Sequence, residues 1–304
     1  MSSKIITEEV VLEKDENWQN NMMKCKKKDN HGQFVDMGNK NTIEDDIRKN
    51  TMPGFIMTGD IFRTILLIAS LTCRVVVPLD NRSNRFGTGF VEKIRRRRGS
   101  CPCPECKTEN PRTEFAVFKV TTVLHVVPEQ SQAENSVFEL FCDDESEQGI
   151  KKLYGRRLAD TDKERGNNDW CFVECVTHDV ELISKLEQTI KEFNDLQKKL
   201  YQQYKNNKEK QLVVIVSHPH GGPKRISFGQ TVEKKSLKDV RENQNWCNYS
   251  YNTATCPGSS GAYVFILGQP LCGSGYWFGH PHNHSHYNVE HFVNCSSIGV
   301  DTVA

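Results

Sequence analysis

The spacing of apolar residues divides the chain into a polar start, two helical segments and a series of short strands. Residues 1–55 are rich in Lys, Asn, Asp and Glu and contain few apolar residues, which predicts a flexible polar leader. The segment GDIFRTILLIASLTC places Ile61, Ile65 and Leu66 at helical spacing, with Asp60 as a candidate N-cap. It predicts a helix that docks on the strands after it and is too short and interrupted to span a membrane.

Short β-rich runs dominate the rest of the chain and predict a mostly β architecture: CRVVVP, TGFVEKI, EFAVFKVTTVLHVV, SVFELF, CFVECV, LVVIVS and AYVFIL. Residues 180 to about 207 are the exception. Apolar side chains recur there every three or four positions between charged residues, which is typical of one long amphipathic helix. We interpret it as an inserted or connecting element.

Charge and the N-terminal residues exclude several classes. The chain has 304 residues, with 40 Lys and Arg against 39 Asp and Glu, so its net charge of +1 gives no reason to expect a nucleic-acid partner. The first residues lack the features of a secretory signal, and no apolar run is long enough for a bilayer. We therefore expect an intracellular, cytoplasmic protein without a membrane partner.

The segment TATCPGSSGAYV, residues 253–264, places two glycines around a pair of serines just before an apolar strand. Gly258 and Gly261 predict a tight, exposed turn, because glycine permits conformations and close approaches that side chains block. If Ser260 is a nucleophile, the amides of Gly258 and Ser260 can converge on an oxyanion. An ordinary Ser/Gly hairpin explains the same residues and stays open at this point.

A hydroxyl nucleophile also needs an imidazole to take its proton and a buried carboxylate to orient that imidazole. In FKVTTVLHVVPE, His125 follows an apolar strand, although a lone buried histidine is more often structural. In ECVTHDVELI, Asp179 precedes apolar residues, whereas most other acids lie in polar runs such as CDDESE and ADTDKERGNND. Asp179 is therefore the candidate carboxylate, and its alternative role is the N-cap of the following helix.

Four segments in this order resemble the chymotrypsin-like serine proteases: RFGTGFV, TTVLHVV, HDVELI and CPGSSGAYV. The resemblance covers residues 73 to about 300. It implies two six-stranded antiparallel β-barrels within a protease domain over residues 56–304. The first barrel would span about 73–180, the connecting helix about 180–207 and the second barrel about 210–304.

The same resemblance implies a serine-type endopeptidase that hydrolyses peptide bonds through an acyl-enzyme and needs no cofactor for catalysis. His125 would be the general base, Asp179 its orienting partner and Ser260 the nucleophile, with an oxyanion hole from the amides of Gly258 and Ser260. The segment VSHPHGGPKRISFG is similar to a hairpin beside the active-site cleft, and its histidines are interpreted as turn residues rather than a second base.

Two positions depart from the family pattern. Secreted members carry an aspartate just before the nucleophile, where this chain has Ser259, so we do not expect a conventional zymogen. Trypsin has an aspartate six residues before the nucleophile, where this chain has Ala254, so a preference for Lys or Arg is not expected. The opposite pocket wall would come from Gly273, Ser274 and Gly275 in LCGSGYWFG, which predicts a small or apolar residue before the cut bond.

The chain contains twelve cysteines, which a reducing compartment would keep as thiols, core residues or metal ligands. In SCPCPECK, Cys101, Cys103 and Cys106 are close enough to share a structural zinc ion, but a tetrahedral site needs a fourth ligand. Candidates are Cys142, Cys171 and Cys175, with Cys142 as the first choice. Free thiols or a redox pair remain the alternatives.

Three classes of function stay open. The first is the serine endopeptidase, whose partner is a peptide or protein substrate. The second is a catalytically silent, protease-like binding module that uses the long helix as its interaction surface. The third is a zinc-dependent regulatory protein, which depends on the cysteine cluster alone. The oligomeric state is not predicted.

Overall fold

The computed structural model describes residues 5–7, 12–13, 17–38, 42–51, 55–79, 83–106, 112–161, 169–206, 211–241, 244–269, 282–288, 293–297 and 299–302. Its helices are α1 (Trp18–Lys24), α2 (Ile43–Asn50), α3 (Gly59–Leu71), α4 (Gln130–Asn135) and α5 (Val180–Tyr204). Short 3-10 helices cover Lys28–Gln33, Pro104–Cys106 and Pro219–Gly221.

The described strands are β1 (Ile5–Thr7), β2 (Leu12–Glu13), β3 (Phe34–Asp36), β4 (Thr72–Leu79), β5 (Ser83–Arg98), β6 (Glu114–Val123), β7 (Val137–Leu140), β8 (Lys151–Thr161), β9 (Trp170–Thr177), β10 (Leu212–Ser217), β11 (Arg225–Arg241), β12 (Gln244–Tyr251), β13 (Val264–Ile266), β14 (His282–Asn288), β15 (Val293–Ser297) and β16 (Gly299–Thr302). All of their pairings are antiparallel.

The first sheet has seven strands among the described residues, in the order β2-β5-β4-β7-β8-β9-β6, and β5 also pairs with β6. Side chains alternate between the two faces of a strand. In β6 this puts Ala116, Phe118 and Val120 into the main core, whereas Phe115, Val117 and Lys119 are only partly buried. The turn that follows β6 carries His125, so this sheet positions the candidate base.

The second sheet has nine described strands, in the order β1-β14-β15-β12-β11-β10-β13, with β16 paired to β12 and β3 paired to β11. Strand β10 reads LVVIVS and is buried on both faces. Val214 and Val216 join the main core, while Val213 and Ile215 join a second apolar cluster with Tyr249 and its neighbours. The loop that carries Ser260 leads into β13, which pairs with β10 at one end of this sheet's strand order.

The predicted mostly β architecture is confirmed, but two closed six-stranded barrels are not. The described pairings of the second sheet follow an open path rather than a closed ring. The first 55 residues add β2 to the first sheet through β5, and β1 and β3 to the second sheet through β14 and β11.

The described parts of residues 1–55 therefore do not form the flexible leader predicted from composition. Val35 in β3 pairs with Ile226 in β11 and is buried, and Ile47 in α2 is fully buried. The apolar residues of this segment are few, but these two lie in the main core. Composition alone does not reveal this, because it gives the number of apolar residues and not which of them are buried.

Helices α3 and α5 form as predicted and pack against each other. The ring centroid of Phe193 on α5 lies 5.6 Å from that of Phe90 and 5.8 Å from that of Tyr263. Phe90 is on β5 of the first sheet and Tyr263 directly precedes β13 of the second, so this ring contacts residues of both sheets. The N-cap of α3 is Thr58, whose hydroxyl accepts from the Ile61 N–H at 3.3 Å, and not Asp60. Among the described residues, no helix is both long and apolar enough to cross a membrane.

Candidate active site and cysteine cluster

The loop that carries Ser260 is buried, in contrast to the exposed turn predicted from its glycines. Ser260 keeps only 5% of its surface exposed. Gly258 and Gly261 have φ values of +90° and +87°, in the left-handed region that favours glycine. A Cβ at Gly258 would lie 2.5 Å from the His218 carbonyl oxygen, and one at Gly261 would lie 2.6 Å from the Thr122 hydroxyl. Both conformation and close packing therefore require glycine, which an ordinary surface hairpin does not demand.

Thr88 on β5 joins this loop to the first sheet. Its N–H donates to the Ser260 carbonyl oxygen at 2.8 Å, and its hydroxyl donates to the Gly258 carbonyl oxygen at 2.7 Å. The Thr88 carbonyl oxygen accepts from the Thr122 hydroxyl at 2.9 Å. Thr122 lies on β6, three residues before His125. The Ser260 loop and the segment that leads to His125 therefore pack against the same residue.

His125 is paired with Asp169, which lies just before β9. One oxygen of the Asp169 carboxylate accepts from the His125 backbone N–H at 2.8 Å, and the other is hydrogen-bonded to Nδ1 of the ring. The side chains of His125 and Asp169 keep 22% and 17% of their surface exposed. A carboxylate at Nδ1 fixes the orientation and tautomer of an imidazole and leaves Nε2 to accept a proton. The arrangement suits a general base whose ring is held in a fixed orientation and whose side chain remains partly exposed to solvent.

Asp179 has a different role from the one predicted. One carboxylate oxygen caps α5 by accepting from the Leu182 N–H at 2.9 Å, and the other accepts from Nζ of Lys151 at 2.7 Å. The N-cap alternative is therefore the correct one, and Asp169 takes the place beside His125 that the sequence suggested for Asp179.

The position of Asp169 directly before a strand can be read from the sequence, but the polar composition of the preceding residues obscures it. Asp169 ends the polar run ADTDKERGNND, which looks solvent-exposed as a whole. However, it immediately precedes β9, where Trp170 pairs with Val123 on β6. Antiparallel pairing then places Asp169 opposite Leu124, whose N–H donates to the Asp169 carbonyl oxygen at 2.6 Å. An acid at the start of a strand can thus reach a histidine at the end of its neighbour.

The predicted substrate pocket is described only in part. Ala254 is buried, and its carbonyl oxygen accepts from the Ser227 hydroxyl at 2.8 Å. Gly273, Ser274 and Gly275 lie outside the described residues. Ser259 is fully buried, and its hydroxyl lies 3.0 Å from that of Ser217.

Three of the four predicted metal ligands come together, and the fourth partner is a histidine. The sulfur atoms of Cys103 and Cys106 each lie 3.3 Å from Nδ1 of His178, and that of Cys101 lies 3.9 Å from it. The four potential ligand atoms all lie within 4.8 Å of one another. Three thiols and one imidazole form a common ligand set of structural zinc. The cluster joins the connection between β5 and β6 to the end of β9.

The other cysteine candidates lie elsewhere. Cys142 is fully buried away from the cluster, and burial raises the pKa of its thiol to about 11. Cys171 and Cys175 face the main core together, as the two-residue period of a strand predicts, and burial raises the pKa of Cys175 well above its ordinary value. The sequence-based prediction limits the fourth ligand to cysteines and so does not include His178, which directly precedes Asp179 in the sequence.

No protein-family model matches the chain, and no curated protein matches it. Solved structures similar to it include the Rv3671c protease in an inactive form, with 13% identity, a TM-score of 0.42 and coverage of 81% of this chain and 93% of that one. The active form from M. tuberculosis has 14% identity, a TM-score of 0.41 and coverage of 79% of each chain. The HtrA-type protease AlgW with a tripeptide has 8% identity, a TM-score of 0.42 and coverage of 78% of this chain and 58% of that one. These values do not fix the family or activity of this chain.

Proposed function

We propose that the chain is a serine endopeptidase that hydrolyses peptide bonds through an acyl-enzyme. The pairing of His125 with Asp169 carries the proposal. A carboxylate that accepts from the backbone N–H of a histidine and also bonds its Nδ1 holds the ring for proton transfer. The buried glycine turn around Ser260, fastened to β5 through Thr88, supports it.

In this mechanism His125 takes the proton of the Ser260 hydroxyl as the serine oxygen attacks the peptide carbonyl. The amides of Gly258 and Ser260 bind the resulting oxyanion, and Asp169 stabilises the imidazolium. His125 then gives the proton to the leaving amine. Water, activated by the same ring, hydrolyses the ester and restores the Ser260 hydroxyl.

The substrate is a peptide or protein segment, and the sequence favours a small or apolar residue before the cut bond. This preference follows from Ala254 and from the resemblance of the segment around Gly273, Ser274 and Gly275 to a pocket wall. Neither nucleic acid nor a membrane is an expected partner.

Labelling with a fluorophosphonate probe tests the proposal, because only an activated serine reacts with it. The parent chain should take up one probe molecule on Ser260, and the Ser260→Ala variant none. Ser131→Ala, an exposed serine on α4, is the matched control and should label like the parent. A folded parent that takes no label contradicts the proposal and favours the protease-like binding module.

We also propose that Cys101, Cys103, Cys106 and His178 hold a structural zinc ion that takes no part in the reaction. The ion would fasten the connection between β5 and β6 onto β9 and contribute folding free energy. Zinc content should fall by one ion per chain in Cys103→Ser and stay unchanged in Cys142→Ala. Equal zinc content in the parent and Cys103→Ser would contradict this assignment.

A further inference from the structure

A second group of metal-ligating side chains lies next to the Ser260 loop, separate from the cluster around His178. Cys25 follows α1, and His31 lies in the 3-10 helix that comes next. His220 lies in the turn between β10 and β11, and Cys256 in the loop after β12. Their potential ligand atoms all lie within 4.8 Å of one another; His31 is partly buried and the other three residues are buried.

The distances within this group match a tetrahedral zinc ion. With bonds of about 2.3 Å to sulfur and about 2.0–2.1 Å to nitrogen, two sulfur ligands lie about 3.8 Å apart and two nitrogen ligands about 3.3 Å apart. The sulfur atoms of Cys25 and Cys256 are 3.8 Å apart. The Nε2 atoms of His31 and His220 are 3.3 Å apart. Both pairs thus have the spacing that a shared ion would impose.

Neither a disulfide nor a hydrogen-bonded pair of histidines accounts for the whole arrangement. A disulfide requires its sulfur atoms about 2.05 Å apart, and both cysteines are free thiols. A hydrogen bond between two imidazoles would explain the approach of His31 and His220, but it would not bring two thiols to the same point. The Lys27 N–H also donates to the Cys25 sulfur at 3.2 Å, as amides do to sulfur that carries negative charge.

We propose that Cys25, His31, His220 and Cys256 bind a second zinc ion, which fastens residues 17–38 to the loop that carries Ser260. Two thiolates and two neutral imidazoles are a ligand set that zinc favours, and the two thiolates balance its charge. All four protein ligands are present, so this is a closed structural site without an open position for substrate.

The surrounding contacts show what the ion would hold. His220 is a non-glycine residue in the left-handed region, with φ of 59°, a conformation that persists only where neighbouring structure fixes it. Its N–H donates to the Pro257 carbonyl oxygen at 2.6 Å, next to Gly258. The side-chain amide of Asn30 donates to the Thr255 carbonyl oxygen at 3.0 Å. The N-terminal segment therefore contacts the loop on the Cys256 side of Ser260.

The position of this ion also bears on Ser260, in an argument that rests on the proposed function. Cys256 precedes Gly258 by two residues and Ser260 by four. An ion that fixes Cys256 and His220 would restrict the backbone from which the oxyanion hole is formed. Loss of the ion should therefore lower the reactivity of Ser260, whereas loss of the ion at His178 should affect it less.

Zinc content of the purified 304-residue chain tests the site without relying on activity. We expect two zinc ions per chain in the parent and in the Cys142→Ala control. We expect one in Cys25→Ser and one in Cys103→Ser. Cys25→His replaces one zinc ligand by another and should restore two, which separates loss of ligation from loss of fold. Circular dichroism of each variant checks that it is folded.

Several results would overturn the second site. A parent with one ion, removed by Cys103→Ser and kept by Cys25→Ser, would contradict it. So would a disulfide between Cys25 and Cys256 in protein purified without reductant. Fluorophosphonate labelling is read separately. Two ions without labelling would retain the site and reject the protease proposal, whereas labelling with one ion that Cys25→Ser keeps and Cys103→Ser removes would do the reverse.

Discussion

Replacing Asp169 by asparagine tests which carboxylate orients His125. The side-chain oxygen of the asparagine could keep the 2.8 Å bond from the His125 backbone N–H, so the fold should persist. Its amide group can only donate to Nδ1, whereas the carboxylate accepts. The ring would then carry its proton on Nε2, the nitrogen that must take the proton of Ser260. In triads of this type the wrong tautomer lowers the rate about 10⁴-fold, or about 5.5 kcal/mol of barrier.

Asp179→Asn is the matched control, because it makes the same chemical change at the other candidate. Asparagine is as good an N-cap as aspartate, so the bond from the Leu182 N–H should remain. The variant loses the ion pair with Lys151, whose side chain is 48% exposed while that of Asp179 is 28% exposed. Such partly exposed pairs contribute about 0–1 kcal/mol to stability. The reactivity of Ser260 should stay close to that of the parent.

The assay is the second-order rate constant for fluorophosphonate labelling, followed by intact-protein mass spectrometry. Urea unfolding of both variants would show whether a loss of labelling reflects a loss of fold. The reasoning would be refuted if Asp169→Asn labelled at the parent rate, or if Asp179→Asn lost reactivity while remaining folded.

The remaining predictions concern packing and thiol chemistry. Gly261→Ala should lower the free energy of unfolding by about 2 kcal/mol or more, because the backbone is left-handed there and the added Cβ would collide with Thr122. A change below about 0.5 kcal/mol in urea unfolding would contradict this prediction. Phe193→Ala should cost about 3–5 kcal/mol in the same measurement, because the ring is buried against Phe90 and Tyr263; a loss below about 1 kcal/mol would argue against that packing. A zinc chelator should expose Cys101, Cys103 and Cys106 to alkylation. Cys175 should resist alkylation until the chain unfolds, because burial raises the pKa of its thiol well above the ordinary value. Equal alkylation of all four cysteines in the folded protein would contradict both the zinc site and the burial of Cys175.

Much of the fold follows from periodicity within single segments. The helical spacing in residues 180 to about 207 predicts α5, and the β-rich run LVVIVS predicts strand β10. The two glycines around Ser260 likewise predict a constrained turn, since their conformations are a local property. What the sequence does not reveal is that this turn is buried, because its cover comes from Thr88 and the first sheet.

The site partners are harder to predict because they come from distant segments. Asp169 belongs to a polar run by composition and reaches His125 only through the pairing of β6 with β9. The sulfur of Cys25 meets that of Cys256 across 231 positions of the chain. No spacing rule connects such residues. The polar composition of residues 1–55 also gives no indication that Cys25 lies close to Cys256.

Cleavage of a defined peptide library by the purified chain, beside its Ser260→Ala variant, tests the central claim most directly. Mass spectrometry of the products would identify each cut bond. We predict cuts at internal peptide bonds by the parent, with a small or apolar residue before the cut, and none by the variant. Equal cleavage by both proteins, or an intact library after incubation with folded, zinc-replete parent, would contradict the account.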